Sequence, residues 1–221
     1  MSRTLKIALL AGVLVLTTLA GGASLIVNQT KVSPDAVRSS VTRSEADVDK
    51  AWKLPAASTF KKALTWQSNP SLCGPASVAN VLRSLGETAT SENAVLAGTG
   101  RCWTGICFMG LSLDELAEVT RLKTTRSVTV LRDLSPDQFQ QHLRRANETG
   151  RRYIVNFSRK EIFGAGAGHH SPIGGYLEAE DLVFVLDVNR DFQPWLIERA
   201  RLFSAIDTWD GTKKRGLLLI E

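Results

Sequence analysis

Cys73 is the residue whose surroundings first suggest a chemical role. It lies in residues 67–86, which read QSNPSLCGPASVANVLRSLG. Pro75 suits a first helical position, Gly86 suits the residue after the end, and apolar residues recur between them, so we predict a helix with Cys73 in its first turn. The unpaired N–H groups at that end favour the thiolate, which is the nucleophilic form. The alternative is an inert cysteine at an ordinary helix start.

A nucleophilic thiol needs a proton acceptor and a group that stabilises the oxyanion. Gln67, six residues before the cysteine, could present a side-chain amide to that oxyanion. Of the three histidines, His142 lies on the polar face of a predicted helix, where solvation explains it. His169 and His170 follow a GAGAG run and open a predicted strand, where small residues leave room for a substrate.

Asp187 is the candidate for orienting the imidazole. It lies near the end of the apolar run LVFVLDV, in which a carboxylate is costly to bury unless a partner faces it. If the strands pair with Ser171 opposite Asp187, His169 is the diagonal neighbour on the same face and His170 points the other way. A slip of one residue exchanges the two histidines, and pairing of Asp187 with Arg190 is a further alternative. Cysteine, histidine and aspartate in this order favour a thiol acyl-transferase or peptidase.

The elements that must position these residues change in character along the chain. Residues 112–122 and 135–147 carry helix-start signals, the first of them a serine and glutamate at capping-box spacing. Short apolar runs then predict strands at residues 152–157, 170–176, 182–188 and 217–220. Helices followed by strands within one domain indicate an α+β fold.

The N-terminal part of the chain predicts export. Residues 1–27 carry two positive charges before an uncharged, largely apolar run at 7–27, as in a signal peptide or a membrane anchor. Residues 28–50 are polar and predict a linker, which leaves residues 51–221 as the catalytic domain. The expected location is the periplasm, either soluble after cleavage or anchored in the inner membrane. In that oxidising compartment Cys102 and Cys107 could form a disulfide.

The composition restricts the class of partner. The net charge of the 221 residues is +5 at pH 7, and no basic run with interleaved aromatic residues occurs. We therefore expect a small anionic substrate and no nucleic acid. Two cysteines without a nearby pair of histidines make a poor zinc site, so no metal ligands are predicted. The sequence is compatible with a homodimer and does not decide the oligomeric state.

The motifs around these residues resemble the catalytic domain of the phytochelatin synthase family, including its short bacterial members. Over residues 52–221 they are, in order, Q-x5-C-G-x-A-S, VNFSRKEI, GHHSPIGGY, LDVNR-x3-PW and TWDGTKKRGLLLI. The resemblance implies a papain-like fold, in which the nucleophile helix packs on an antiparallel sheet that carries the histidine and the aspartate. It also implies release of glycine from glutathione through a γ-glutamylcysteinyl thioester, which then passes to water, as the dominant reaction in the short form, or to another glutathione.

The resemblance assigns roles to particular residues. The family pattern G-H-x-S-P matches His169 and leaves His170 at a variable position, so Cys73, His169 and Asp187 become nucleophile, base and orienting acid, with Gln67 as oxyanion donor. It implies substrate contacts by a further set of residues: Asn156, Arg159, Tyr176, Asp210 and Arg215. Asp210 and Arg215 are two residues closer together than the family pattern leads us to expect. No bound cofactor is implied, and cadmium or zinc would enter as glutathione thiolate complexes in a response to metal.

Two other functions compete with this interpretation. An exported cysteine peptidase resembling the double-glycine leader peptidases would share the Q-x5-C-G-P-A-S opening, although the later motifs fit it less well. A non-catalytic periplasmic protein that binds glutathione or metal through its thiol is the second, and the presence of every expected catalytic residue argues against it.

Overall fold

The computed structural model describes residues 31–102, 107 and 110–221. Its α-helices are α1 (Pro34–Ser40), α2 (Glu45–Trp52), α3 (Cys73–Ser84), α4 (Glu92–Leu96), α5 (Leu113–Arg121), α6 (Pro136–Arg145), α7 (Arg159–Phe163) and α8 (Arg199–Ile206). Its strands are β1 (Val128–Leu131), β2 (Arg152–Ser158), β3 (Gly168–Leu177), β4 (Leu182–Val185), β5 (Trp195–Glu198), β6 (Trp209–Asp210), β7 (Lys213–Lys214) and β8 (Gly216–Ile220). Helices dominate the first half and strands the second, which confirms the predicted α+β class.

One six-stranded sheet organises the second half of the chain. Its order is β1-β8-β2-β3-β4-β5 and every neighbouring pair is antiparallel. Strand β3 lies inside the sheet, paired with β2 on one side and with β4 on the other. A β-bulge interrupts the β3–β4 register between Ile173 and Gly175. The first residues of β3, where the two histidines lie, are therefore held within the sheet.

The alternation of side chains in β2 shows that the sheet separates two hydrophobic cores. Ile154 belongs to the core that contains much of α3 and α5. Tyr153, Val155 and Phe157 belong to the opposite core, together with residues of α6 and α8. Successive side chains of a strand point to opposite faces, so both faces of this strand are covered and its residues are buried.

Helix α3 begins and ends close to the predicted positions. Cys73 is its first residue, and Gly86 follows its end with a φ of 78°, a left-handed conformation that glycine adopts without strain. Pro75 is the third helical residue rather than the first. A Cβ atom on Gly74 would lie 2.9 Å from Leu116 Cδ1, so this glycine permits α5 to pack closely against the start of α3.

The two helices with predicted start signals form as expected. Ser112 and Glu115 form a capping box at α5, and Ser135 and Gln138 form another at α6. Each box satisfies two backbone N–H groups that would otherwise lack partners. These signals depend on residues three positions apart, which explains why they could be recognised in the sequence.

The prediction of a polar linker at residues 28–50 is wrong for residues 31–50. Helix α1 lies in this stretch, α2 begins in it, and Thr42 forms a β-bridge to Leu196 at the free side of β5. Val32, Val37 and Val41 are buried in the core on the α6 side of the sheet. Each helix buries a single residue, so the segment shows no apolar period even though it is part of the folded domain.

The predicted signal or anchor at residues 7–27 lies outside the described residues. Within residues 31–102, 107 and 110–221, no helix has the length and apolar character needed to cross a membrane.

Candidate active site

Cys73 is placed at the junction of α3 and the central strands. Its side chain is 6% exposed and packs with Ala76 and Val188. The Ser77 hydroxyl lies 2.7 Å from the carbonyl oxygen of Cys73 and 3.0 Å from that of His170. This hydroxyl therefore joins the first turn of α3 to the beginning of β3, which fixes the thiol beside the two histidines.

The register of β3 and β4 brings His169 to Asp187. Ile173 pairs with Val185, and continuing that register places Ser171 opposite Asp187. His169 is then the diagonal neighbour of Asp187, and its Nε2 atom lies 2.9 Å from Asp187 Oδ1. Both side chains are almost completely buried. The structure thus has the register on which the sequence argument for His169 depended.

Asp187 accepts hydrogen bonds from several groups besides His169. Arg159 Nη2 lies 3.2 and 3.4 Å from its two carboxylate oxygens. Trp195 Nε1 donates to Oδ2 at 3.2 Å, and the N–H of Asn189 donates to Oδ1 at 2.9 Å. These donors satisfy a carboxylate that is 0% exposed, so its partner is not Arg190, the alternative weighed from the sequence.

His170 lies on the face of β3 opposite to His169, as predicted, and it nonetheless reaches Cys73. His170 Nδ1 lies 3.8 Å from Cys73 Sγ, and His169 is close enough to the thiol to lower its pKa. Cys73 lies against the first residues of β3, where side chains from the two faces of the strand converge on one atom. Because Asp187 binds His169 Nε2, the Nδ1 atom of that ring is the one available to the thiol.

The electrostatics favour a thiolate and an imidazolium. Burial alone would raise the pKa of Cys73, but the charge of His169, followed by hydrogen bonding to the two imidazoles, holds that pKa well below 9.0. Burial and Arg159 oppose protonation of His169, yet Asp187 and Cys73 raise its pKa above 6.5. Burial likewise opposes ionisation of Asp187, but His169 and Arg159 hold its pKa well below 3.8. The thiol is therefore the group that gives up its proton, and His169 keeps one.

Gln67 is held next to the cysteine by the backbone. Its N–H donates to the carbonyl of Val188 at 2.9 Å, and Val188 packs on Cys73. The side-chain oxygen of Gln67 is buried and has no hydrogen-bond partner within the described part of the chain. The residue lines a cavity of about 410 Å³ together with His169 and Arg159. This position is compatible with the predicted oxyanion donor.

Cys73 itself lines a second cavity, of about 490 Å³, and three predicted substrate contacts meet there. Asn156 Nδ2 donates to Asp210 at 3.0 Å, and Arg215 Nη1 donates to Asn156 Oδ1 at 2.7 Å. Arg215 also pairs with Asp210 at 3.2 Å, so the shorter spacing between these two residues does not separate them. A Cβ on Gly168 would lie 2.2 Å from Arg215 Nη1, so the glycine makes room for the guanidinium.

The other two predicted substrate contacts have different positions. Arg159 binds Asp187 and lies over the Phe192 ring, 4.1 Å from its centroid, beside the cavity of Gln67. Tyr176 is buried in the core on the α6 side, and its hydroxyl donates to Asp181 at 2.5 Å. It lies seven residues beyond His169 in β3, roughly 23 Å along the strand. The prediction that Tyr176 contacts substrate is therefore wrong.

Three further residues of the sequence analysis, a histidine and two cysteines, can be placed. His142 lies outside the site and is partly buried rather than solvated, with Nδ1 3.1 Å from the Tyr153 hydroxyl oxygen. Cys102 and Cys107 form a disulfide, and the N–H of Cys107 donates to the hydroxyl of Ser71 at 3.1 Å. Ser71 lines the same cavity as Cys73, so the disulfide supports one wall of the site.

Trp195 is a site residue that sequence reasoning missed. Its indole N–H binds Asp187, while its ring packs edge-to-face on Phe157 and Phe163. The sequence feature that could have revealed this residue is the apolar run WLI after Pro194. This run has the composition of a strand, although the sequence analysis does not predict one there.

The fold and the arrangement of cysteine, histidine and aspartate are those of the papain-like thiol enzymes. The solved structure of a putative C39-like peptidase from Bacillus anthracis has this fold, with a TM-score of 0.54 at 11% identity, covering 73% of this chain and 96% of that chain. The sequence profile of phytochelatin synthase matches residues 27–217, and the chain belongs to that family.

The curated relatives carry names that agree with the family. A Schizosaccharomyces pombe protein named glutathione gamma-glutamylcysteinyltransferase is 25% identical over 187 residues, which cover 74% of this chain and 42% of that protein. The Arabidopsis thaliana protein glutathione gamma-glutamylcysteinyltransferase 2 is 26% identical over 184 residues, covering 70% of this chain and 37% of that protein. The chain thus matches about two fifths of the length of these relatives.

Proposed function

We propose that this chain cleaves glycine from glutathione through a γ-glutamylcysteinyl thioester on Cys73. The observation that carries the proposal is the position of Cys73, between a buried His169–Asp187 pair and a cavity that ends in Asn156, Asp210 and Arg215. Family membership and the names of the relatives support glutathione as the substrate. Asp210 suits the glutamyl ammonium group, and the guanidinium of Arg215 suits a carboxylate.

The reaction divides into two halves. In the first, the Cys73 thiolate attacks the carbonyl carbon of the cysteinyl residue, and the bond from that carbon to the glycine nitrogen breaks. The imidazolium of His169 gives its proton to the departing amine, and a thioester remains on sulfur. Gln67 is the proposed hydrogen-bond donor to the oxyanion that forms on the way.

In the second half an acceptor attacks the thioester carbon. The acceptor gives its proton to His169, the carbon–sulfur bond breaks, and Cys73 leaves as a thiolate. Water as acceptor yields γ-glutamylcysteine, and the amine of a second glutathione yields a phytochelatin of two units. We propose water as the dominant acceptor because the sequence resembles the short bacterial members of the family.

Mass spectrometry after brief exposure to glutathione tests the reaction class and the substrate together. The expected result is a γ-glutamylcysteinyl adduct on Cys73 that is absent from Cys73→Ala. Chromatography of the products then shows whether water or a second glutathione takes the acyl group. An unmodified Cys73 during turnover would overturn the mechanism, and an excess of the two-unit phytochelatin over γ-glutamylcysteine would overturn the preference for water.

Export and the part played by metals belong to the proposal as well. The Cys102–Cys107 disulfide supports an oxidising compartment, and the apolar residues 7–27 support a signal peptide or an anchor in the inner membrane. Fractionation of cells that express the full chain tests this, with recovery in the cytoplasm as the contrary result. Among the described residues no group of three or more potential ligands could hold a metal ion, so cadmium or zinc is proposed to act as part of a glutathione thiolate substrate.

A leader-peptide peptidase is the second candidate, favoured by the fold it shares with the putative C39-like peptidase. An 11% identity shows the fold alone, and the cluster of Asn156, Asp210 and Arg215 suits a charged small substrate better. Incubation with a double-glycine leader peptide and with glutathione distinguishes the two. Cleavage of the peptide without release of glycine from glutathione would select the peptidase.

A further inference from the structure

His170 is an imidazole in contact with Cys73 that the proposed reaction does not use. His170 is 3% exposed, and its Nδ1 atom lies 3.8 Å from Cys73 Sγ. Its backbone carbonyl is within hydrogen-bond distance of the Ser77 hydroxyl, which ties it to α3. The backbone of His170 is therefore held beside the start of α3.

The second nitrogen of this ring lacks a partner, in contrast to that of His169. His169 Nε2 binds Asp187, whereas His170 Nε2 is buried with no hydrogen-bond partner in the described residues. A neutral imidazole that donates from Nδ1 to the Cys73 thiolate keeps Nε2 as an acceptor. Leaving a buried acceptor unpaired is costly, so this nitrogen is a candidate acceptor for a group of a ligand bound in the cavity that His170 lines.

The neighbours of His170 show which part of a ligand would meet it. His170 pairs directly with Asn156 across β2 and β3, and Asn156 binds both Asp210 and Arg215. The lining of the cavity at Cys73 thus leads from this residue through His170 and Asn156 to Asp210 and Arg215. His169, in contrast, lines the other cavity with Gln67 and Arg159.

A γ-glutamylcysteinyl group bound in the proposed way spans these residues in the same order. Its thioester end is on Cys73, its glutamyl end is at Asp210 and Arg215, and the cysteinyl residue next to the thioester lies beside His170. We propose that His170 is a specificity-determining residue whose Nε2 accepts a hydrogen bond from the thiol of the substrate's cysteinyl residue. This inference rests on the proposed function, because the placement of the acyl group depends on it.

The test compares glutathione with γ-glutamyl-2-aminobutyryl-glycine, in which a methyl group replaces the thiol. The ratio of kcat/KM for release of glycine from the two tripeptides should favour glutathione by about 5- to 30-fold in the unmodified chain. This is the lower part of the range for a lost hydrogen bond that leaves a buried group unpaired, because a thiol is a weak donor.

Two matched variants separate the thiol contact from a general effect on Cys73. In His170→Asn the amide can replace Nδ1 beside the cysteine but nothing replaces Nε2, so the ratio should fall towards 1. In His170→Gln the longer amide reaches the position of Nε2, so part of the preference should return. A general effect of His170→Asn on Cys73 lowers glycine release from both tripeptides and cancels in the ratio of their kcat/KM values, whereas loss of the thiol contact lowers that ratio itself.

The outcomes distinguish failure of this inference from failure of the proposed function. If the unmodified chain releases no glycine from glutathione, the proposed function is wrong. If it releases glycine from both tripeptides equally well, or if His170→Asn keeps the original preference, the proposed function stands and the role of His170 is overturned.

Discussion

Replacement of Asp187 by asparagine should both destabilise the fold and slow acylation. Asparagine has the same shape, but one of the two carboxylate oxygens becomes an N–H donor. If the amide oxygen takes the place of Oδ1, the new NH₂ group takes the place of Oδ2 and faces the donors Trp195 Nε1 and Arg159 Nη2. In the opposite orientation, His169 Nε2 and the N–H of Asn189 lose their acceptor. Hydrogen bonds to charged groups contribute about 1.5–3 kcal/mol each, and breaking a buried ion pair costs about 3–5 kcal/mol.

We therefore expect the free energy of unfolding, measured by urea denaturation at pH 7, to fall by about 3–5 kcal/mol in Asp187→Asn. The folded-state pKa of Asp187 is depressed below 3.8, so its stabilisation is present above the unfolded-state pKa and is lost as the pH falls through the folded-state value. The difference between the two proteins should accordingly shrink on acidification. The rate of thioester formation should fall by about 10²-fold or more, because His169 loses the group that orients it.

Asp49→Asn is the matched control for this experiment. Asp49 carries the same charge on an exposed helix surface, 4.0 Å from Lys62, and its side chain is 60% exposed. A surface ion pair of this kind contributes about 0–1 kcal/mol. Equal losses of stability in the two variants, or an Asp187→Asn variant with unchanged stability and acylation, would refute the network assigned to Asp187.

Three further predictions use other parts of the site. The rate of alkylation of Cys73 by iodoacetamide should rise with pH through an inflection well below 9.0, because the imidazoles lower the thiol pKa, and an inflection at 9.0 or above would contradict this. Arg215→Met should raise the KM for glutathione by about 10-fold or more with a smaller change in kcat, since it removes a charge-assisted contact; an unchanged KM would exclude the contact. Reduction of the Cys102–Cys107 bond should lower the free energy of unfolding by about 2 kcal/mol, the value for so short a loop, and equal denaturation curves with and without reductant would contradict it.

The parts of the fold that could be predicted from the sequence are those that depend on local signals. The start of α5 follows from a serine and a glutamate three residues apart, and the end of α3 follows from Gly86. Each signal reflects backbone groups that are satisfied by residues close in the chain. Cys73 could be placed in a first helical turn for the same reason.

Other parts depend on tertiary packing and could not be predicted. Helices α1 and α2 bury one residue each, and long-range contacts, such as those of Val37 with the sheet core and of Thr42 with Leu196, distinguish this stretch from a linker. Tyr176 belongs to a sequence motif that includes His169, yet the length of β3 places it far from the cysteine. Proximity in sequence does not imply proximity to the site when the chain is extended.

The choice between the two histidines depends on the β-bulge in β3. Beyond the bulge Gly175 pairs with Phe184, whereas before it Ile173 pairs with Val185, so Gly174 is the extra residue. If the register of the distal part continued without the bulge, Pro172 would lie opposite Asp187 and His170 would become its diagonal neighbour. A Cβ on Gly174 would lie 2.7 Å from the Phe184 ring, so the bulge needs glycine at this position. The second half of the GHHSPIGGY motif therefore determines which histidine binds the aspartate, and it leaves the other free to face the larger cavity.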